Sequence, residues 1–408
     1  MSRLEELIAE LCPDGVPYKT LGEIAIDIFR GAGITREQVC ETGTPCVRYG
    51  EIYTTYGVWF NECVSHTDET LLTSKKYFEH GDILFAITGE SVEDIAKSCA
   101  YIGHEKCLAG GDIVVLKHNQ NPKYLAYALS TMAAQMQKSK GKVKSKVVHS
   151  SVPAIKGIVV PIPPLAVQRE IVRILDNFTE LTAELTAELT ARRKQYAYYR
   201  DELLDMRTNE KIKWKMIGET STFRRGSFPQ PYGNKEWYDG KGAMPFVQVA
   251  DIGEDMRLVE DTKRKISVVA QSKSVFAPKG SIVISLQGSI GRIAVTQYDA
   301  YIDRTVAIFQ NISNDILPKY FVYQLQKIFS IKEKTARGST IKTITKEEFT
   351  NFQIPIPPLS EQARIVSILD RFDALCNDLT SGLPAEIEAR KKQYEYYRDK
   401  LLTFQAVE

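Results

Sequence analysis

What most constrains this chain is that it repeats itself. PIPPLAVQREIVRILD at 161–176 matches PIPPLSEQARIVSILD at 355–370 at 11 of 16 positions, and ARRKQYAYYRDELL at 191–204 matches ARKKQYEYYRDKLL at 389–402 at 11 of 14. The offset is 194 residues in the first stretch and 198 in the second, so the later copy carries four extra residues between its motifs. The segments in front of each copy correspond more weakly. Leu21-Gly22-Glu23 faces Ile217-Gly218-Glu219, HGDILFA at 80–86 faces KGSIVIS at 279–285, and PKYLAYAL at 122–129 faces PKYFVYQL at 318–325. The plan is therefore globular half, helical copy, globular half, helical copy. Nearly identical helices beside diverged globular parts imply one shared task done twice and two different things read.

From 165 to about 206, the apolar residues Ile171, Ile174, Leu175, Phe178, Leu181, Leu185 and Leu189 fall at spacings of three and four, which predicts an amphipathic helix opened by Pro163-Pro164. Its roughly 40 residues give a rod of about 60 Å. Inside it, TAEL at 182–185 is followed at once by TAEL at 186–189. One such unit lengthens the rod by about 6 Å and turns it by about 40° from register. The second copy spans 360–380 and 384–402, broken or kinked by Gly382 and Pro384. Two amphipathic rods of this length bury their stripes most economically by packing antiparallel as a coiled coil, the alternative being two unrelated surface helices. Apolar or alternating runs at 82–87, 112–117, 281–286 and 305–312 predict strands, and 122–137 and 318–334 predict helices, so each half is a mixed α/β domain. The fold class is α+β: two mixed α/β domains joined by two long antiparallel helices, with a pseudo-twofold internal repeat. The boundaries are an amphipathic helix at 1–15, a globular domain at 16–155, a helical spacer at 156–210, a second globular domain at 211–351 and a second spacer at 352–408.

The 408 residues carry a net charge of only +2, but it is unevenly spread. Residues 211–351 hold 22 Lys+Arg against 14 Asp+Glu, a net of +8, whereas 16–155 hold 15 against 15. A basic domain is the electrostatic footprint of a polyanion binder. Neither a signal peptide nor a run of 18 apolar residues is present, which predicts a soluble, cytoplasmic protein without a membrane partner. The seven cysteines form no C-x-x-C pair, as suits a reducing compartment. No phosphate-binding loop, dinucleotide-binding turn or amino-methyltransferase motif occurs. Cys99, His104 and Cys107 lie close in sequence but lack a fourth ligand at zinc-site spacing. No catalytic residue, metal site or bound cofactor is assigned.

Several segments suit nucleic acid. Lys138, Lys140, Lys142, Lys144 and Lys146 alternate with small or apolar residues, and an extended chain would put all five ammonium groups on one edge for phosphates to meet. Arg337, Ser339 and Lys342 take the matching place before the second helical copy. Near the start of the second half, Arg224, Arg225, Gln230, Tyr232, Asn234 and Lys235 sit on a Gly/Pro-rich loop, with Gln248 further on. Arginine reads guanine, and Asn or Gln reads adenine, by paired hydrogen bonds in the major groove. The first half offers Arg30, Arg48 and Tyr49. In KQYxYYRDxLL, Tyr196, Tyr198, Tyr199 and their copies Tyr394, Tyr396, Tyr397 form an aromatic cluster, part of it to pack in the coiled coil and part to form a protein interface used twice, for which Tyr196, Tyr199, Arg200, Tyr394, Tyr397 and Arg398 are the candidates.

The PIPPLxxQxxIVxILD motif, the TAEL tandem and KQYxYYRDxLL, each following a globular half, resemble the specificity subunit of type I restriction-modification systems, in the subgroup with TAEL spacer repeats. The resemblance covers the whole chain, although SGLPAEIE replaces the TAEL units in the second copy. It implies two target recognition domains, each reading one half-site of a split sequence in double-stranded DNA, with the helices as ruler and dock for two modification subunits. Restriction subunits would join through those. S-adenosylmethionine, ATP and Mg²⁺ would sit on the partners, and the assembled complex would be an adenine-specific DNA methyltransferase and ATP-dependent endonuclease. A coiled-coil adaptor that binds only proteins, and a self-contained methyltransferase or nuclease, are the competing readings.

Overall fold

The computed structural model describes residues 2–140, 147–207, 209–253, 255–287, 289–335, 346–378 and 380–407. The chain divides into two units, Met1–Glu184 with Ile387–Glu408, and Leu185–Glu386. Each unit thus combines one globular half with parts of both helical copies.

In the first unit, the apolar run ILFA forms the strand Ile83–Ala86, buried at every position after a turn at Gly81 with φ 93°. Covered on both faces, such a strand needs no alternation. It lies at the middle of a five-stranded sheet in the order Ala25–Arg30, Ile113–His118, Ile83–Ala86, Ser98–Tyr101, Trp59–Phe60. A second sheet runs Val39–Cys40, Ser65–Thr67, Thr44–Val47, Cys107–Ala109, Tyr77–Phe78, with Thr44–Val47 and Cys107–Ala109 parallel. The second unit repeats this design with fewer strands. One sheet runs Thr222–Arg225, Val306–Gln310, Ile282–Ser285, Ile293–Val295, and the other Lys265–Ile266, Met244–Val247, Val275–Ala277 on either side of Ala300–Ile302, which is parallel to Met244–Val247. Each globular half is closed by an antiparallel ladder between its first and last strands: Tyr18–Thr20 with Val159–Pro161, and Lys213–Met216 with Gln353–Ile356.

The helical motifs fold as they do because they answer to the globular halves. The glutamine of PIPPLxxQ is fully buried in both copies, and a buried amide must be satisfied. Gln168 donates to the Pro163 carbonyl and Gln362 to the Pro357 carbonyl, each at 2.8 Å. Tyr124 and Tyr320 donate to the Pro161 and Pro355 carbonyls, each at 3.0 Å. Lys123 pairs with Asp176 at 2.7 Å and Lys319 with Asp370 at 2.8 Å. The expected helix over 122–137 is two helices, Pro122–Leu129 and Met132–Ser139, because Thr131 caps the second by accepting from the Ala134 N–H.

The first spacer is one helix, Leu165–Leu203. The second is two, Leu359–Asn377 and Leu383–Leu401, so the expected interruption falls where Gly382 stands. A Cβ there would press on the carbonyl oxygens of Ala374, Leu375 and Asp378, so the chain's close return requires glycine. In the first unit, Phe178 of the first copy stacks on Tyr397 of the second at 5.5 Å. In the second unit, Tyr199 of the first copy stacks on Phe372 of the second at 6.0 Å. Phe178 and Phe372, and Tyr199 and Tyr397, are the same motif positions, so the two units use one contact reciprocally. Among the described residues, no helix is long and apolar enough to cross a membrane.

Candidate nucleic-acid interface

A matching set of chain segments converges in each unit where the two parallel strands end. In the first unit, Ala25–Arg30 leads to Gly31, where a Cβ would collide with the carbonyl oxygens of Ala109 and Gly110. In the second, Thr222–Arg225 leads to Gly226, where a Cβ would collide with those of Ile302 and Asp303. Strand register extends the equivalence. Ala109 pairs with Val47 as Ile302 pairs with Val247, so Arg48 corresponds to Gln248, and Gly110-Gly111-Asp112 to Asp303-Arg304-Thr305. Arg30 corresponds to Arg225, one residue before each glycine.

The frame is shared but its side chains differ. In the first unit, Arg30 is exposed, donating through Nε to the Gly111 carbonyl and through Nη2 to Asp112 Oδ1 at 2.7 Å. Arg48 leads into the helix Tyr49–Thr54, with its Nε 3.4 Å from Glu51, while Tyr49 is exposed. In the second unit, Arg224 and Arg225 project from an exposed edge strand, and the residue matching Asp112 is Thr305. A cleft of about 370 Å³ is lined there by Tyr232, Gln248, Gln287, Asp303, Arg304 and Thr305, among others. The Tyr232 hydroxyl donates to Asp303 at 3.0 Å and accepts from Gln248 at 2.5 Å. Burial first, and then the Asp303 charge, push the Tyr232 phenol well above its ordinary value, so it keeps its proton. The guanidinium groups of Arg264 and Arg304 each lie 5.8 Å from the Tyr232 ring.

Of the other expected contacts, Gln230 and Lys235 are exposed. Asn234 is engaged locally, its amide oxygen accepting from the Glu236 N–H at 3.1 Å. Lys142, Lys144, Lys146, Arg337, Ser339 and Lys342 lie outside the described residues.

Two expectations are corrected. Lys138 does not stand on an extended edge: it belongs to the helix Met132–Ser139 and is buried, donating to the Leu129 carbonyl at 2.7 Å and to the Ser98 hydroxyl at 3.2 Å. Lys140 ends that helix and is exposed, so the period-two geometry fails for this pair. The tyrosine motif also divides differently. Tyr196 and Tyr394 point into the chain's own cores, and Arg200 and Arg398 have side chains only 12% and 13% exposed, each paired with the aspartate that follows it. These four are engaged within the chain itself. Tyr199 and Tyr397 are exposed at one edge, and the most open members are Tyr198 and Tyr396, at 64% and 63%. The sequence places those two in the cluster but does not single them out, because the motif shows aromatics without their facing. Sequence reasoning passed over Gln287, Arg304, Asp303 and Asp112. Facing AGGDIVVLK at 109–117 with IDRTVAIFQ at 302–310 exposes Arg304 and Asp112 as a diverged pair within a matching frame.

A profile of the type I restriction modification DNA specificity domain matches residues 13–192 and again 215–389. The chain belongs to the type I restriction-modification specificity subunit family. It is 37% identical over 298 residues to the Escherichia coli type I restriction enzyme EcoR124I/EcoR124II specificity subunit, covering 69% of this chain and 70% of that protein. Its fold matches a chain from a structure of the type I R-M system, with a TM-score of 0.67 and 21% identity over 96% of this chain and 98% of that one. It also matches the type I restriction-modification S subunit from M. genitalium, with a TM-score of 0.54 and 14% identity over 95% and 96%.

Proposed function

We propose that each globular half of this specificity subunit reads one half-site of a bipartite sequence in double-stranded DNA, and that the helices set the distance between them. The observation that carries this is a strand frame built twice with an arginine kept at one position, Arg30 and Arg225, and different side chains at two others: Arg48 and Asp112 in one unit, Gln248 and Thr305 in the other. The groups that tie the globular halves to the helices, Gln168 and Gln362, Tyr124 and Tyr320, Lys123 and Lys319, repeat unchanged, whereas these two positions do not. The excess of eight positive charges over 211–351 supports attraction to phosphates. The target is then two short specified blocks separated by unread base pairs, most easily about one helical turn apart, roughly 34 Å between centres.

Tyr198 with Tyr199 and Tyr396 with Tyr397 are offered as two equivalent docking points for two modification subunits, since each pair meets edge to face at matching distances, 5.4 and 5.3 Å, on an open helix surface. Those partners carry S-adenosylmethionine and adenine methylation, and restriction subunits joining through them bring ATP, Mg²⁺ and cleavage. This chain works with them in the cytoplasm. The test replaces 211–351 with the corresponding half of another family member and sequences the methylome of cells that also make the modification partner. The second block should change and the first should persist. A change in both blocks, or in neither, overturns the division of labour.

A further inference from the structure

We infer that Gln248 reads an adenine in the second half-site and that Tyr232 with Asp303 holds it in the reading orientation. This rests on the half-site reading above and adds a base to it. Asp303 is buried and takes donors on both oxygens: the Thr305 backbone N–H at 2.9 Å and hydroxyl at 2.6 Å on Oδ1, and the Tyr232 hydroxyl at 3.0 Å on Oδ2. A carboxylate only accepts, so the Tyr232 proton is committed to it. Tyr232 oxygen can then only accept from its next neighbour, the side-chain amide of Gln248 at 2.5 Å. Turned the other way, that amide would set two oxygens face to face with no hydrogen between them. A terminal amide can usually be placed either way round; here the chain from Asp303 through Tyr232 decides, and the nitrogen faces the phenol.

Tyr232 is itself held. Its backbone carbonyl accepts from the Tyr238 hydroxyl at 2.7 Å, and its ring packs against Phe228 at 4.9 Å. The Gln248 backbone N–H is fixed on Asp251 at 2.8 Å, and the Asp251 N–H is taken by the Gln248 backbone carbonyl at 3.0 Å rather than by its side chain. Gln248 therefore offers the cleft an acceptor, Oε1, beside one remaining Nε2–H donor.

In the major groove, adenine presents the complement of that pair: an amino donor on N6 beside the acceptor N7. Guanine presents two acceptors, O6 and N7, so Oε1 would face O6 without a hydrogen. Cytosine and thymine each offer a single polar group. The corresponding position of the first unit holds Arg48, which has only donors and suits guanine's two acceptors. One place in the shared frame thus carries different hydrogen-bonding patterns in the two halves, two donors in one and an acceptor beside a donor in the other.

The experiment incubates the full-length chain, purified with its modification partner, with a pool of randomised duplexes and sequences the bound fraction. The unaltered protein should select adenine at one position of the second block. Gln248→Ala should relax that position alone by roughly tenfold, and Gln248→Arg should move its preference toward guanine. Tyr232→Phe keeps the ring but removes the hydroxyl that fixes the amide. It should weaken the adenine preference severalfold with Gln248 still present, which a packing role would not do. The first block, unchanged throughout, reports a folded complex. The inference is overturned if Gln248→Ala leaves the second block intact, relaxes a base other than adenine, or relaxes every position together. A second block indifferent to replacement of 211–351 would instead sink the half-site reading itself.

Discussion

Lys138 keeps its amine inside the first unit with a carbonyl, a hydroxyl and the face of Phe85, 6.0 Å away, as neighbours. Burial pulls this amine from its ordinary 10.5 down to about 7. The sign of the linkage follows. Between about pH 7 and 10.5 the unfolded chain holds a proton that the folded chain has released, so stability rises with pH across that window. Below about pH 7 both states are charged, and the burial cost is present in full. Urea unfolding at pH 7 and pH 9 should show the unaltered protein gaining about 2 kcal/mol more than Lys138→Met does. An equal gain in both proteins would mean that the amine is hydrated in the folded state. The sequence showed five lysines at alternate positions, and that pattern was misleading for a definable reason. The first two belong to the end of a helix whose cap, Thr131, stands seven residues before Lys138, and a helical period places 138 and 140 on different faces.

At the scale of elements, the spacer was the most legible part of the chain. Its period, its proline start and the Gly382 interruption all appear as sequence patterns, because a helix is specified by neighbours three and four residues apart. The TAEL stretch within Leu165–Leu203 is largely exposed, with only Thr182, Leu185 and Leu189 half-buried among 181–190. Only Leu189 of the two tandem leucines 185 and 189 packs against a buried cluster. Removing 186–189 therefore takes away little packing and leaves the TAEL unit at 182–185 in place, while shortening the helix by about 6 Å and rotating its far part by about 40°. The expected outcome in a methylome is a narrower unread gap, by about two base pairs at roughly 3.4 Å each, with both specified blocks kept. A gap of unchanged width would remove the helix from the role of ruler.

At the scale of the molecule, the second unit's cleft was hardly legible, because its walls come from segments far apart in sequence: Tyr232, Gln248, Gln287 and Arg304 meet only once the sheet has formed. What the sequence does carry is the repeat, and strand register turns that repeat into a residue-by-residue correspondence. The correspondence makes a strong claim. If reading belongs to the globular halves alone, replacing 211–351 with a second copy of 16–155, joined at the same closing ladders, places Arg30, Arg48 and Asp112 in both frames. Each closing ladder is antiparallel and ends in the same Ile-Pro-Pro entrance to a helix, so the graft meets the framework it left. Two identical readers must select two identical blocks, so the original first block should appear twice in the target. Sequencing the methylome of cells carrying this chain distinguishes the outcomes. The original first block, present twice about an unread gap, supports readers that carry their specificity with them. Retention of the original second block would show that its specificity lies outside 211–351, in the helices or the partners.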